Sequence, residues 1–482
     1  MLQFATIFRI LGVMSAFFGL AMAVPWAYGH LTGDPSAAGL GIAAACGLGL
    51  ALILLVTTPK EAREISHREG FLIVTLTWLL AATLGALPYL FCGITDSVTD
   101  AFFEAMSGFT TTGSTILSGL DSMPRAILLW RAITQWLGGM GMILLSIAIL
   151  PLLGVGGMQL FKAETPGPVA DKIRPRVRDT AARLWGIYTF FTAAETLCLM
   201  VAGLPFYDAL CHSLTTLPGG GFSTHDASIA YFHSAAVDAI VTCFMLAGGI
   251  NFVLYFRLLS GRWRTIPHES ELKFFALIFL SACTATVVSV RLSTYPHWGE
   301  AIRYGIFQVA TCITTTGFST ADYATWPYLP QAVLVLLMLT GAMAGSTSGA
   351  MKDVRVLLLF KQGFQQLRHL VHPHAVIRVR ISGRTVAPEI IQAIWGFFFL
   401  YLVVFSVASL SLAALHMDLV SATTAVITAM GNCGPGLGAV GPSHTFEALP
   451  AAAKWILSLC MLLGRLELYT VLVLFLPEYW RR

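Results

Sequence analysis

The sequence predicts an all-α polytopic membrane protein: two N-terminal helices followed by four helix–pore-loop–helix repeats. Three observations predict it. Charged residues are only 11% of the 482-residue chain and hydrophobic ones are 56%, whereas a soluble domain carries about 25% charged residues. Uncharged runs near the ~20 residues that a bilayer crossing requires recur along the whole length. The polar gaps between those runs alternate between two kinds. A mean hydropathy of +0.75 makes lipid, not water, the main solvent of the folded chain.

The candidate spans are 3–28, 39–58, 70–91, 126–154, 181–205, 234–259, 273–291, 327–360, 389–415 and 448–476. The first holds Arg9 and an Ala-Met-Ala at 21–23 that matches a signal-peptidase site, but its weakly basic start favours a retained helix. After the second span, gaps at 155–180, 260–272 and 361–388 are basic, while those at 92–125, 206–233, 292–326 and 416–447 are short amphipathic segments ending in Gly/Ser/Thr runs.

Basic loops stay on the cytoplasmic side. Lys60, Arg63, Arg68, Lys162, Lys172, Arg174, Arg176, Arg178, Arg257, Arg262, Arg264, Lys361, Arg368, Arg378, Arg380, Arg384, Arg481 and Arg482 all fall on one side if every span crosses once. Asp96, Asp100, Glu104, Asp121, Asp208, Asp226, Glu300, Asp322, Asp418 and Glu447 fall on the other. Both termini are therefore expected inside, beneath an acidic outer mouth. Nine cysteines without CxxC spacing argue against a disulfide scaffold or a zinc module. A net charge of +4 gives no reason to expect a nucleic-acid partner.

The outer gaps contain an internal repeat. The copies are Phe109-Thr110-Thr111-Thr112-Gly113-Ser114-Thr115, Leu217-Pro218-Gly219-Gly220-Gly221-Phe222-Ser223-Thr224, Ile313-Thr314-Thr315-Thr316-Gly317-Phe318-Ser319-Thr320 and the more divergent Gly431-Asn432-Cys433-Gly434-Pro435-Gly436. A loop that dips into a bilayer leaves carbonyls unpaired, which is tolerated only where they line a watery cavity or bind something positive. Carbonyl oxygens suit dehydrated alkali cations. Four copies make a pseudo-fourfold ring around a central ion pore, with Thr111, Thr112, Gly113, Gly219, Gly220, Gly221, Thr315, Thr316, Gly317, Asn432, Cys433 and Gly434 as filter candidates. The plain alternative is four similar surface turns.

These loops, with Gln135-Trp136-Leu137-Gly138-Gly139-Met140-Gly141, Leu153-Gly154-Val155-Gly156-Gly157-Met158-Gln159 and Gly248-Gly249-Ile250-Asn251-Phe252, resemble the bacterial Trk/Ktr potassium transporters and their plant HKT relatives. The resemblance is closest to the TrkH/TrkG subunit and covers nearly the whole chain. It implies potassium uptake, K⁺ at the filter residues, a homodimer, and a cytoplasmic nucleotide-binding TrkA-type regulatory subunit as partner. Relatives with serine in the first loop favour sodium, so Gly113 points to potassium. Pro218-Gly219-Gly220 and Asn432-Cys433 depart from the threonine-rich pattern. The repeats are expected at 70–179, 180–269, 270–388 and 389–482, after two extra helices over 1–69, in a bacterial inner membrane.

Within the third repeat's last span, Gly341-Ala342-Met343-Ala344-Gly345-Ser346-Thr347-Ser348-Gly349-Ala350 would weaken a helix at mid-membrane. Gly345, Ser346, Thr347, Ser348 and Gly349 form a segment able to obstruct the ion path and move aside, which by resemblance is the family's gating loop; close helix packing is the alternative reading. Arg465 must face the protein interior, because an unpaired charge at mid-membrane costs about 2.5–3.5 kcal/mol or more. A carbonyl of the 345–350 loop is its expected partner, which would hold a closed gate or serve as a purely structural bond. Glu195 reads first as a packing residue; a proton-coupled potassium symporter using Glu195 or Asp238 is the alternative function.

The dinucleotide-like Gly436-x-Gly438-x-x-Gly441 has neither the strand nor the helix that such a fingerprint needs. His369, His372 and His374 read as a solvated loop, and no nucleophile–base pair at helical spacing points to an enzyme. No organic cofactor is expected.

Overall fold

Helices dominate because nearly every apolar run is long, unbroken by charge, and must satisfy its own backbone. The structure, a computed structural model, describes residues 3–59, 66–148, 173–261, 263–375 and 377–481. Leu153–Gln159 and Lys60, Arg63, Lys162, Lys172, Arg262 and Arg482 lie outside the described residues.

Helices α1 (Phe4–Thr32) and α2 (Ala37–Thr57) form an antiparallel hairpin. Ser15 Oγ donates to the Gly47 carbonyl at 2.7 Å, across a contact where Gly19 and Gly47 let the backbones approach. The hairpin packs on α3 (His67–Phe91), which opens with a capping box between Ser66 and Glu69.

Four short helices follow the outer ends of four long ones. They are α4 (Val98–Phe109), α7 (Phe206–Thr216), α11 (Trp298–Ile313) and α15 (Leu419–Gly431). The long helices that precede them are α3, α6 (Ile173–Val201), α10 (Ser270–Ser293) and α14 (Pro388–Ala414). At 1.5 Å per residue even the longest of the short four spans only about 24 Å, less than a bilayer core. Each is therefore too short to cross a bilayer core. The outgoing helices are α5 (Arg125–Ala148), α8 (Ala235–Gly249), α12 (Tyr328–Thr340) and α16 (Ala451–Arg465).

Six described helices are long and apolar enough to cross a membrane, or up to eight if each of two bent pairs is one span. Two of the ten expected spans bend sharply, and a third is broken where the sequence predicts a break. The 234–259 run bends by 92° between α8 and α9 (Phe252–Leu259), where Asn251 Oδ1 accepts from the Val253 N–H at 2.9 Å and starts a new helix. The 448–476 run bends by 110° between α16 and the segment beginning with α17 (Tyr469–Leu472), because Glu467 and Leu468 take positive φ. The 327–360 run is broken at 341–352, between α12 and α13 (Asp353–Val371), as the glycine-rich stretch predicts.

The start of the chain, the start of α3 and the C-terminal segment meet: the Gln3 N–H donates to Glu69 Oε1 at 2.8 Å and Tyr479 Oη to the Arg68 carbonyl at 2.6 Å. The 260–272 and 361–388 gaps meet likewise, where the Ser270 N–H donates to Ser382 Oγ at 3.0 Å, beside a two-residue hairpin of β1 (Arg380–Ile381) and β2 (Arg384–Thr385).

Candidate functional site

The four short helices end in one backbone pattern, built by the sequence differently each time. One residue after each helix turns left-handed: Thr111 (φ 53°), Gly219 (φ 69°), Thr315 (φ 57°) and Asn432 (φ 50°). The next N–H then bonds five residues back: Thr112 to Ser107 O at 2.8 Å, Gly220 to Thr215 O at 3.0 Å, Thr316 to Thr311 O at 2.8 Å and Cys433 to Thr428 O at 2.9 Å. This is a Schellman-type cap, which normally places glycine at the left-handed position. A β-branched threonine there costs about 1–2 kcal/mol and persists only where its surroundings over-determine it.

A second left-handed residue follows two positions on, always glycine: Gly113 (φ 83°), Gly221 (φ 73°), Gly317 (φ 86°) and Gly434 (φ 84°). The register of the divergent copies follows from this. Gly219-Gly220-Gly221 and Asn432-Cys433-Gly434 occupy the places of Thr111-Thr112-Gly113.

The loops contact one another in a closed cycle. A side chain on Gly113 would meet the Gly220 carbonyl, one on Gly221 the Thr316 carbonyl, and one on Gly317 the Cys433 carbonyl. A side chain on Gly434 would come within 3.1 Å of the Thr112 carbonyl and so complete the ring. Four equivalent peptide oxygens and four glycines thus alternate around one closed cycle of neighbouring loops, next to four helix C-termini whose partial charge is negative.

Beneath the ring lies 341–352. Thr347 Oγ1 donates to the Leu217 carbonyl at 2.7 Å, and the Gly349 N–H donates to Thr315 Oγ1 at 2.8 Å, so this segment touches the second and third loops directly. Arg465, 1% exposed, donates to the Thr347 carbonyl at 2.9 Å and the Gly138 carbonyl at 3.2 Å. It is the last residue of α16, at the bend, rather than the middle of a straight span. Glu467 is paired with Arg355 instead.

Two residues here escaped the sequence reading. Buried Lys352 places its ammonium on the Ser348 carbonyl and near that of Ser346, at 3.5 Å. Glu271 Oε1 accepts from the Ala344 N–H at 2.6 Å. Both stand inside or beside apolar runs; the readable signal was a lysine directly after a glycine-rich break.

The outer acids are less open than their positions suggest. Glu104 is fully buried, 2.8 Å from Arg131 Nε, and accepts the Ile116 N–H at 3.0 Å. Asp100 pairs with Lys454 at 2.5 Å, while Asp418 caps α15 through the Ser421 N–H at 3.0 Å. Asp121 and Asp208 flank His225, which stacks on Tyr231 with ring centroids 3.5 Å apart. The hydrogen bond to His225 holds the Asp121 carboxyl below the usual carboxylate value of 3.8. Asp238 forms an ion pair with Arg303 at 2.6 Å, and Glu195 is fully buried in α6 beside Thr216.

The family model described as a cation transport protein, TrkH, matches residues 43–482. Among curated relatives, the Trk system potassium uptake protein TrkH of Salmonella typhimurium is 43% identical over 488 residues, covering 100% of both chains. The Trk system potassium uptake protein TrkG of Escherichia coli K12 is 36% identical over 88% of each chain. Among solved structures, the potassium transporter TrkH from Vibrio parahaemolyticus superposes with a TM-score of 0.91 at 38% identity, covering 100% of both chains.

Proposed function

This chain belongs to the TrkH family of cation transport proteins, a multi-pass membrane protein and not an enzyme, and from that premise we propose how it works. It is the potassium-translocating pore subunit of a Trk-type uptake system in a bacterial inner membrane. K⁺ passes inward through the ring of loops, where peptide oxygens of Thr112, Gly220, Thr316 and Cys433 and of their loop neighbours replace its water shell. With the interior negative, each charge entering gains about 2.3 kcal/mol per 100 mV, so uptake needs no ATPase in this chain.

The observation that carries this reading is the cyclic contact of four loops sharing one backbone conformation. Surface turns have no reason to share a strained φ at equivalent positions and to close on each other. The segment 345–349, held by Arg465 and Lys352, is the gate. A TrkA-type nucleotide-binding partner on the basic face opens it, and the working unit is a homodimer with both termini cytoplasmic.

Flux into proteoliposomes with K⁺, Rb⁺, Na⁺ and Li⁺ tests the reading: K⁺ and Rb⁺ pass and Na⁺ and Li⁺ lag. Equal passage of all four overturns it. A proton-coupled symporter keeps one support, buried Glu195 without an ion pair among the described residues; Asp238 is already engaged by Arg303. A reversal potential that tracks the K⁺ gradient alone at every pH rules that alternative out.

A further inference from the structure

The four loops share a backbone but not a brace. In the first, Thr110 and Thr112 hydroxyls lie 2.8 Å apart, and in the third Thr314 and Thr316 repeat the contact at 2.8 Å. In the fourth, Asn432 Nδ2 donates to Thr112 Oγ1 at 2.9 Å and the Met461 carbonyl at 3.0 Å. The second loop has Pro218 and Gly220 at the places of Thr110 and Thr112 and Gly219 at that of Asn432, so it has no polar side chain with which to brace itself.

Its brace comes from another repeat. Gln135, on α5 of the first repeat and fully buried, donates from Nε2 to the Gly220 carbonyl at 2.7 Å and accepts at Oε1 from the Phe222 N–H at 3.0 Å. The amide orientation is set by chemistry, since a carbonyl only accepts and an N–H only donates. Gly220 has ordinary negative φ, so its backbone tolerates a side chain; what forbids one is the Gln135 amide lying where the Cβ would stand. The glycine and the glutamine are complementary parts of one device.

The Gly220 carbonyl is also the second-loop counterpart of the Thr112, Thr316 and Cys433 carbonyls. We infer that Gln135 is a specificity-determining positioning residue: its amide fixes the Gly220–Phe222 backbone and shares one carbonyl of the ion ring, setting how closely that ring fits K⁺. The inference rests on the ring being the selectivity filter.

The test is the K⁺/Na⁺ flux ratio of full-length protein in proteoliposomes for the wild type, Q135M, Q135E and G113S. Losing one neutral hydrogen bond to a filter carbonyl is expected to lower the ratio about fivefold to tenfold in Q135M, at every pH. In Q135E the carboxylate cannot donate to Gly220 but the protonated acid can, and burial favours the acid, so the ratio falls at alkaline pH and recovers toward wild type as pH is lowered. A bond that merely supports folding would not give a selectivity that returns with protonation. Wild-type ratios in both glutamine variants, with a lowered ratio in G113S, overturn the Gln135 inference alone. An unchanged ratio in G113S as well overturns the filter reading beneath it. If Q135M fails to assemble, the pH titration of Q135E decides: recovery supports the inference, and a flat profile refutes it.

Discussion

The ring of four loops and the segment beneath it are both irregular backbone at membrane depth, yet they are held in opposite ways. The ring is bound mainly by its own repeated geometry: a Schellman-type cap in each copy, glycine at each second left-handed position, and mutual contact around a closed cycle. The lower segment has one copy and no symmetry. Besides neutral hydrogen bonds to Gly248, Gly249, Leu217 and Thr315, it is bound by ionisable side chains, Arg465 from α16, Glu271 from α10 and Lys352 at its own end. A structure determined by four mutually supporting caps has one arrangement, whereas one held by a few charged hydrogen bonds has a second arrangement whenever those bonds are exchanged for others. On the proposed function, the difference separates what must stay fixed, discrimination between ions, from what must move.

Breaking the ring should have the largest effect. Gly113→Ser places a Cβ against the Gly220 carbonyl and a side chain on a residue at φ 83°, so either the first loop leaves its conformation or its neighbour retreats. The K⁺/Na⁺ flux ratio is expected to fall tenfold or more, roughly 1.4 kcal/mol of lost discrimination, with the gate unaffected. A ratio within twofold of wild type would show that the ring does not select.

Breaking the lower segment's tethers should alter how often the path opens and leave selectivity alone. Arg465→Ala and Lys352→Met each remove hydrogen bonds from a charged donor, worth about 1.5–3 kcal/mol, so basal K⁺ flux without the partner should rise roughly tenfold to a hundredfold at an unchanged K⁺/Na⁺ ratio. Flux that stays silent in both variants would assign these cations to structure rather than gating.

How much of this contrast was readable beforehand follows the same division. The first and third loops announce themselves as Thr-Thr-Thr-Gly, and Asn432 was legible too, because asparagine is among the few non-glycine residues that accept a left-handed backbone. The register of Gly219-Gly220-Gly221 was not, since three glycines in a row carry no phase until neighbours supply it. The bends at Gly249–Asn251 and after Arg465 escaped because hydropathy measures how apolar a run is and not its direction, although Asn after Gly-Gly is a helix stop followed by a helix start. Lys352 escaped because it falls inside the run read as the apolar span 327–360, and Glu271 because it falls in the polar gap 260–272, where one more charge carries no signal. The acidic outer mouth was read from position alone; Glu104 and Asp100 turned out to face Arg131 and Lys454, which lie far from them in sequence.

Among the described residues, one hydrogen bond between ring and segment uses a ring threonine side chain, and it sharpens the comparison. Thr315 Oγ1 accepts from the Gly349 N–H at 2.8 Å. Thr315→Val keeps the shape and the β-branched backbone but removes that acceptor, at a cost of about 1 kcal/mol. Basal flux should rise about fivefold at most, and the K⁺/Na⁺ ratio should hold. A shift in selectivity without a change in basal flux would mean that the two regions are not separable at this residue.

The smallest effect belongs where Asp121, in the turn before α5, meets His225, in the loop after Gly221, with Asp208 on the other ring nitrogen at 3.7 Å. The His225 hydrogen bond keeps the Asp121 carboxylate charged below its ordinary value of 3.8. A depressed acid stabilises the fold wherever it is ionised in the folded state and would be ionised unfolded, so the contribution is complete at neutral pH and disappears as pH falls below about 4. Because Asp121 is half exposed, solvent screens the pair and the gain is small. Thermal unfolding in detergent should show wild type slightly more stable than Asp121→Asn at pH 7 and the two converging below about pH 4. A gap that persists or widens in acid would place the link between these loops in packing, His225 on Tyr231, and not in the charge.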